Sequence, residues 1–161
     1  MKLYHVTYKK NLESIKKDGL SIDYHLLNSN YPDQTSGKAI YLSKYIKGNN
    51  LPIHMHGKEL VSLEIDLMSL DEKFIHPDDG IYWAYNNEVM FHEEDLDEIK
   101  EAFNLKTDSE AEDKLNYLES LTDDELIKEF KNIWNWYLAS EGEIAYLDNI
   151  SFDKIVDIHY L

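Results

Sequence analysis

Three short stretches hold side chains able to bind or transform a polar ligand: HVT at 5–7, GKAIYLS at 37–43 and EGEI at 141–144. Each stands at the tip of a segment that reads as a strand. Taken singly, His5 fits a satisfied strand histidine, Tyr41 a core aromatic, and Glu143 one acid among thirty-two. A second set is His54 and His56 in IHMHG, with His76, Asp78, Asp79 and His92 downstream. Strand residues two apart face the same way, and imidazole with carboxylate suits zinc. Pro52 and Gly57 argue for a loop there, and spacing fixes no third ligand, so the expectation is no metal.

Charge narrows the ligand classes. The net charge is -16, yet residues 1–60 carry nine lysines against five acids, and residues 61–161 seven lysines against twenty-seven acids. The basic first third can hold a phosphate-bearing ligand; the acidic remainder can meet a basic partner or keep the chain dissolved. All sixteen basic residues are lysine. Without guanidinium forks, bidentate contacts to guanine or phosphate are lost, which disfavours sequence-specific DNA reading. The absence of cysteine excludes disulfides and thiolate metal sites. No run approaches the length of a membrane span, and MKLYHVTYKK lacks the apolar stretch of a secretion signal, so a cytoplasmic protein is expected.

The elements that must position these residues follow from periodicity. One domain, 1–161, is expected for this length with 43% hydrophobic residues. A strand is predicted at about 2–7, a helix at about 11–18 ended by Gly19, and a polar loop from Asn28 to Gly37. KAIYLSK reads as a strand, and ELVSLEIDL (59–67) alternates as a half-buried one. From Glu93 to Tyr137 the chain reads as helix in three acidic, amphipathic pieces. Ser109 with Glu112 and Thr122 with Glu125 have capping-box spacing, and Leu126, Ile127, Phe130, Ile133, Trp134 and Tyr137 follow helical spacing as core. Gly142 closes the last helix. EIAYL and KIVDIHYL then form two strands joined by the turn DNISFD, giving an α+β chain with strands at both ends.

The ordered set HVT, GKAIYL and Glu143 before IAYL resembles the ADP-ribosyltransferase superfamily, in its His-Tyr-Glu branch of poly(ADP-ribose) polymerases and diphtheria toxin. The matches cover about forty residues, an extent that only the ordered set makes specific. The resemblance implies a split β-sandwich, two small sheets flanking a nucleotide cleft, with a helical insertion at about 93–137. It also implies NAD+ as substrate. His5 would hydrogen-bond a ribose hydroxyl, and the backbone at Val6 would read the nicotinamide amide. Tyr41 would stack on the nicotinamide ring, with Tyr45 as a second wall. Glu143 would bind the 2′-hydroxyl and stabilise the oxocarbenium-like charge. Thr7 and Ser43 would supply polar contacts, and Lys9, Lys10, Lys38 and Lys44 would meet the pyrophosphate. Glu141 would orient the acceptor, a protein first and nucleic acid second. Two departures stand out: Val6 replaces the common glycine, and E-x-E spacing belongs to an arginine-modifying branch that begins with Arg.

Two other functions fit parts of the sequence. One is a non-enzymatic inhibitor whose acidic surface imitates nucleic-acid charge. The other is an RNA 2′-phosphotransferase, which the basic stretch permits and the missing arginines disfavour. A role as a toxin, phage effector or defence antagonist is associated with such a fold.

Overall fold

The first strand, β1 (Lys2–Tyr8), lies where the sequence predicts a strand, with Leu3 and Thr7 buried and Tyr4, His5, Val6 and Tyr8 half-buried. The computed structural model describes residues 1–23, 39–48, 51, 55–78, 91 and 96–161. The predicted loop at 28–37, Lys38, His54, Asp79 and His92 lie outside these. Helix α1 (Leu12–Asp18) buries Leu12 and Ile15 and stops at Gly19, whose N–H bonds the Ile15 carbonyl at 2.8 Å. Gly19 has φ 77° and ψ −168°, a region essentially restricted to glycine. A Cβ there would stand 2.4 Å from the Ile150 carbonyl oxygen.

The remaining elements are β2 (Ile40–Ser43), β3 (Leu60–Asp66), β4 (Ile75–Pro77), α2 (Leu96–Phe103), α3 (Asp108–Glu119), α4 (Asp123–Lys131), α5 (Trp134–Ser140), β5 (Glu143–Tyr146) and β6 (Ile155–Tyr160). The strands form one antiparallel sheet in the order β4-β5-β2-β1-β3-β6. This corrects the expected pair of separate sheets, with one qualification. β1 shares seven registered pairs with β3, and β2 four with β5, but β1 and β2 share only Tyr4↔Ser43. The sheet is two three-stranded halves sewn together at one residue pair.

Strands β5 and β6 follow each other in sequence yet lie in opposite halves. The connection crosses the sheet, and on the way Ile150 makes an isolated bridge with Leu20, just past Gly19. β4 was not predicted, because three residues are too few for alternation to be read.

The helical stretch has four pieces, since α4 and α5 are separated at Asn132–Ile133 where a single helix is predicted. The hydrophobic phase runs through the break: Leu126, Phe130, Ile133 and Tyr137 are all buried. The Thr122–Glu125 cap is present, with the Glu125 carboxylate accepting from the Thr122 N–H. The other box is Thr107 with Glu110, two residues before the predicted Ser109–Glu112 pair.

Two hydrophobic cores result. One joins the sheet to α1 through Leu3, Ile15, Ile40, Leu63 and Ile144; the other lies among the helices around Ile99, Leu118 and Phe130. Helix α5 supplies Leu138 to the first and Tyr137 to the second, so it ties the acidic helices to the sheet. No helix among the described residues is long and apolar enough to cross a membrane.

Candidate functional site

The single-pair joint brings together β1, β2 and β5, each of which carries described residues of one of the three stretches. Ser43 stands opposite Tyr4 on one side and Glu143 on the other. Directly opposed residues of antiparallel strands share a face. Tyr41, two residues before Ser43, shares that face and stands opposite Ala145, which in turn faces His76 on β4. Extending the same register puts Asp78 beside Glu143. His5 is one residue past Tyr4, so strand alternation groups it with Leu3 and Thr7. Its ring meets the neighbouring strand β2 at the backbone, where Nδ1 lies 3.0 Å from the Tyr41 carbonyl oxygen. A carbonyl only accepts, so Nδ1 carries the proton, and in the neutral ring Nε2 is an acceptor.

The turn before β5 is built around Gly142, with φ 86°. Its carbonyl accepts from the Lys44 N–H at 2.7 Å. A Cβ at Gly142 would come 2.7 Å from Lys44 Cε and from the Tyr45 ring. Tyr45, which is 44% exposed, therefore lies against the glycine between Glu141 and Glu143. Lys44 Nζ donates to the Ala139 carbonyl at 2.7 Å, at the end of α5, where the backbone dipoles favour a cation.

Thr7 and Ser43 are buried and have structural bonds. The Thr7 hydroxyl accepts from Asn11 Nδ2, and the Ser43 hydroxyl from the Tyr45 N–H. Val6 is half-buried beside the Gly48 turn. Lys9 pairs with Glu59 at 3.4 Å, and Lys10 lies over the Tyr8 ring.

Sequence reasoning missed the participation of Tyr137. Its hydroxyl donates to Asp78 Oδ1 at 2.6 Å, and burial, then the charges of Asp78, Glu141 and Glu143, push its pKa far above the usual tyrosine range. One carboxylate thus accepts from the buried phenol, and the charges of two more add to the rise. A signal was available, since Tyr137 precedes Glu141 by four residues, one helical turn, and the Glu141 N–H bonds the Tyr137 carbonyl.

A pH effect follows. Above 10.0 the unfolded chain's phenol ionises while the folded one keeps its proton, so the stability this group contributes is complete below that pH and lost above it. Tyr137→Phe is expected to cost about 1.5–3 kcal/mol at neutral pH through loss of a bond to a charged group. Its urea midpoint is also expected to fall less steeply than that of wild type between about pH 9 and 11. Parallel curves would remove Tyr137 as the source.

The alternative set of metal ligands is not assembled among the described residues. His56 Nε2 lies 3.2 Å from the Leu51 carbonyl, and His76 is held below its usual pKa by burial and then by Lys131. Neither belongs to the one described group of His, Asp and Glu close enough to hold an ion, which is Glu64, Asp157 and His159.

Chemically, the joint offers a half-buried carboxylate, an aromatic ring and an oriented imidazole around one seam. Comparison with protein-family models, curated proteins and solved structures finds no match.

Proposed function

We propose that the chain is an NAD+-dependent ADP-ribosyltransferase acting on a macromolecular acceptor, a protein in the first instance. The observation that carries this reading is the meeting of β1, β2 and β5 at Tyr4, Ser43 and Glu143, with His5 bonded to Tyr41 beside them. An anomeric carbon that develops positive charge needs a carboxylate next to it and a grip on its hydroxyls. Glu143 accepts from the 2′-hydroxyl of the nicotinamide ribose. His5 accepts a ribose O–H through Nε2, its ring held by the Tyr41 carbonyl. Tyr41 stacks on the cationic nicotinamide, with Tyr45 across from it.

The bond from C1′ to the nicotinamide nitrogen breaks, and its electron pair leaves with nicotinamide. The acceptor's nucleophile bonds C1′ and releases its proton. Glu141, exposed on the far side of Gly142, orients that nucleophile. The surrounding carboxylates favour a basic acceptor side chain over a phosphate backbone.

The test is incubation of the full chain with adenylate-labelled NAD+ and a cell lysate, followed by identification of the labelled species. Label on protein and release of nicotinamide are expected. If neither occurs and NAD+ leaves the melting temperature unchanged, the enzyme reading falls and inhibition by charge mimicry takes its place. Label on RNA with phosphate removal would instead identify a 2′-phosphotransferase.

A further inference from the structure

In the other half of the sheet, we infer that Glu64, Asp157 and His159 form a binding site for a divalent transition-metal ion, zinc(II) in the first instance. The site adjoins the β1–β2 joint, since Tyr4 stands opposite Ser43 on one side and Glu64 on the other, but it does not depend on the proposed transferase activity.

The register builds it. Glu64 faces Asp157, and Ser62 faces His159, across the β3–β6 pair, so all four side chains project from one face. His159 Nε2 lies 2.9 Å from Glu64 Oε2 and 3.9 Å from Asp157 Oδ2. These separations bracket the edge of about 3.3 Å that tetrahedral ligation at zinc distances requires. The Asp157 carboxylate is oriented by the next peptide of β6, since Oδ1 accepts from the Ile158 N–H at 2.8 Å and Oδ2 is the oxygen toward the imidazole. Tyr4 packs edge-on against the His159 ring, with centroids 5.9 Å apart, which limits its rotation. Supporting contacts that fix ligand orientation are what metal sites need beyond the ligands themselves.

Two further observations point to a ligand here. Ser62 is 0% exposed, and its hydroxyl has no hydrogen-bond partner among the described residues. A buried hydroxyl without a partner is costly, and this one stands directly opposite His159. A metal-bound water would accept its proton. The ladder is also irregular at this point: the register shifts between Glu64 and Ile65, and Val156, between paired Ile155 and Asp157, is exposed. Such bulges re-aim neighbouring side chains and recur beside functional sites.

Lys2 sets the competition. Its Nζ lies 3.5 Å from Glu64 Oε1 and 3.8 Å from Asp66, supplying positive charge to the same carboxylate. A metal must share Glu64 with that ammonium, so removing Lys2 strengthens metal binding.

Calorimetric titration of the full chain with zinc chloride, repeated with cobalt(II) to read ligand-field absorption, tests the site. One ion per chain is expected. Glu64→Gln and His159→Gln should each weaken binding by about a hundredfold or more and Ser62→Ala by about tenfold, scaled from the effects of outer-shell losses. Lys2→Ala should tighten it. Absence of saturable binding of either ion overturns the proposal. So does affinity unchanged in both ligand variants, which would place the ion among unrelated acids. Should a variant fold poorly, imidazole NMR of the wild-type chain decides: zinc must perturb His159, and perturbation confined to other histidines refutes the site.

Discussion

Under the proposed function, Glu143→Gln is expected to lower ADP-ribose transfer by about two to four orders of magnitude while barely moving the melting temperature. The amide keeps the shape and the place opposite Ser43, on a strand whose backbone is paired on both sides by β2 and β4. What it loses is a full negative charge, which the proposed mechanism sets next to the carbon that becomes cationic. The loss should appear in kcat with little change in KM, because the charge matters most when nicotinamide departs. Glu141→Gln separates the two acids: it should depress transfer to the acceptor while retaining nicotinamide release from NAD+. Activity within severalfold of wild type in Glu143→Gln would end the proposed mechanism.

Gly19→Ala should be strongly destabilising. Its conformation is strained for any residue with a side chain, a cost of about 1–3 kcal/mol. The added Cβ would also overlap the Ile150 carbonyl oxygen at 2.4 Å and crowd Ser151 Cα at 3.0 Å. Neither backbone atom can yield easily, because Leu20 and Ile150 exchange two hydrogen bonds of 2.8 and 2.9 Å. A total of about 3 kcal/mol or more is expected from urea unfolding. Gly57→Ala is the control, with φ 70° and nothing within 4 Å, and should cost only about 1–2 kcal/mol of backbone strain. Equal losses at the two positions would show that the contact with Ile150 does not matter.

Local pattern was enough to find β1, α1, β2, β3, β5 and β6, since each is written in alternation, in 3.6-residue spacing or in a glycine stop. It was not enough to give their order. Nothing near EIAYL announces that its partners are β2 and the short IHP strand, or that KIVDIHYL will cross to pair with β3. Long-range register decides both. The break at Asn132–Ile133 was hidden for a different reason: the buried positions keep helical phase through it, so the hydrophobic pattern cannot show a change of axis. In the candidate site, register sets Tyr41, Ser43 and Glu143 on one face, while His5 belongs to the face of Leu3 and Thr7 and meets β2 through the Tyr41 carbonyl, a relation no local pattern in the sequence displays. Lys44, expected near a pyrophosphate, is bonded to the Ala139 carbonyl at the end of α5. The Asp78–Tyr137 bond joins residues fifty-nine apart, beyond the reach of any local rule.

The crossing between β5 and β6 governs how the chain can be made. During synthesis β1, β2 and β3 emerge well before β5 and β6, which cover the outer sides of β2 and β3. Until then, both strands present bare ladder edges and the apolar side chains of Ile40, Leu42, Val61 and Leu63, the combination that invites pairing with a neighbouring nascent chain. The ladder partners on the outer sides of β2 and β3 are supplied only when the distal strands have been made.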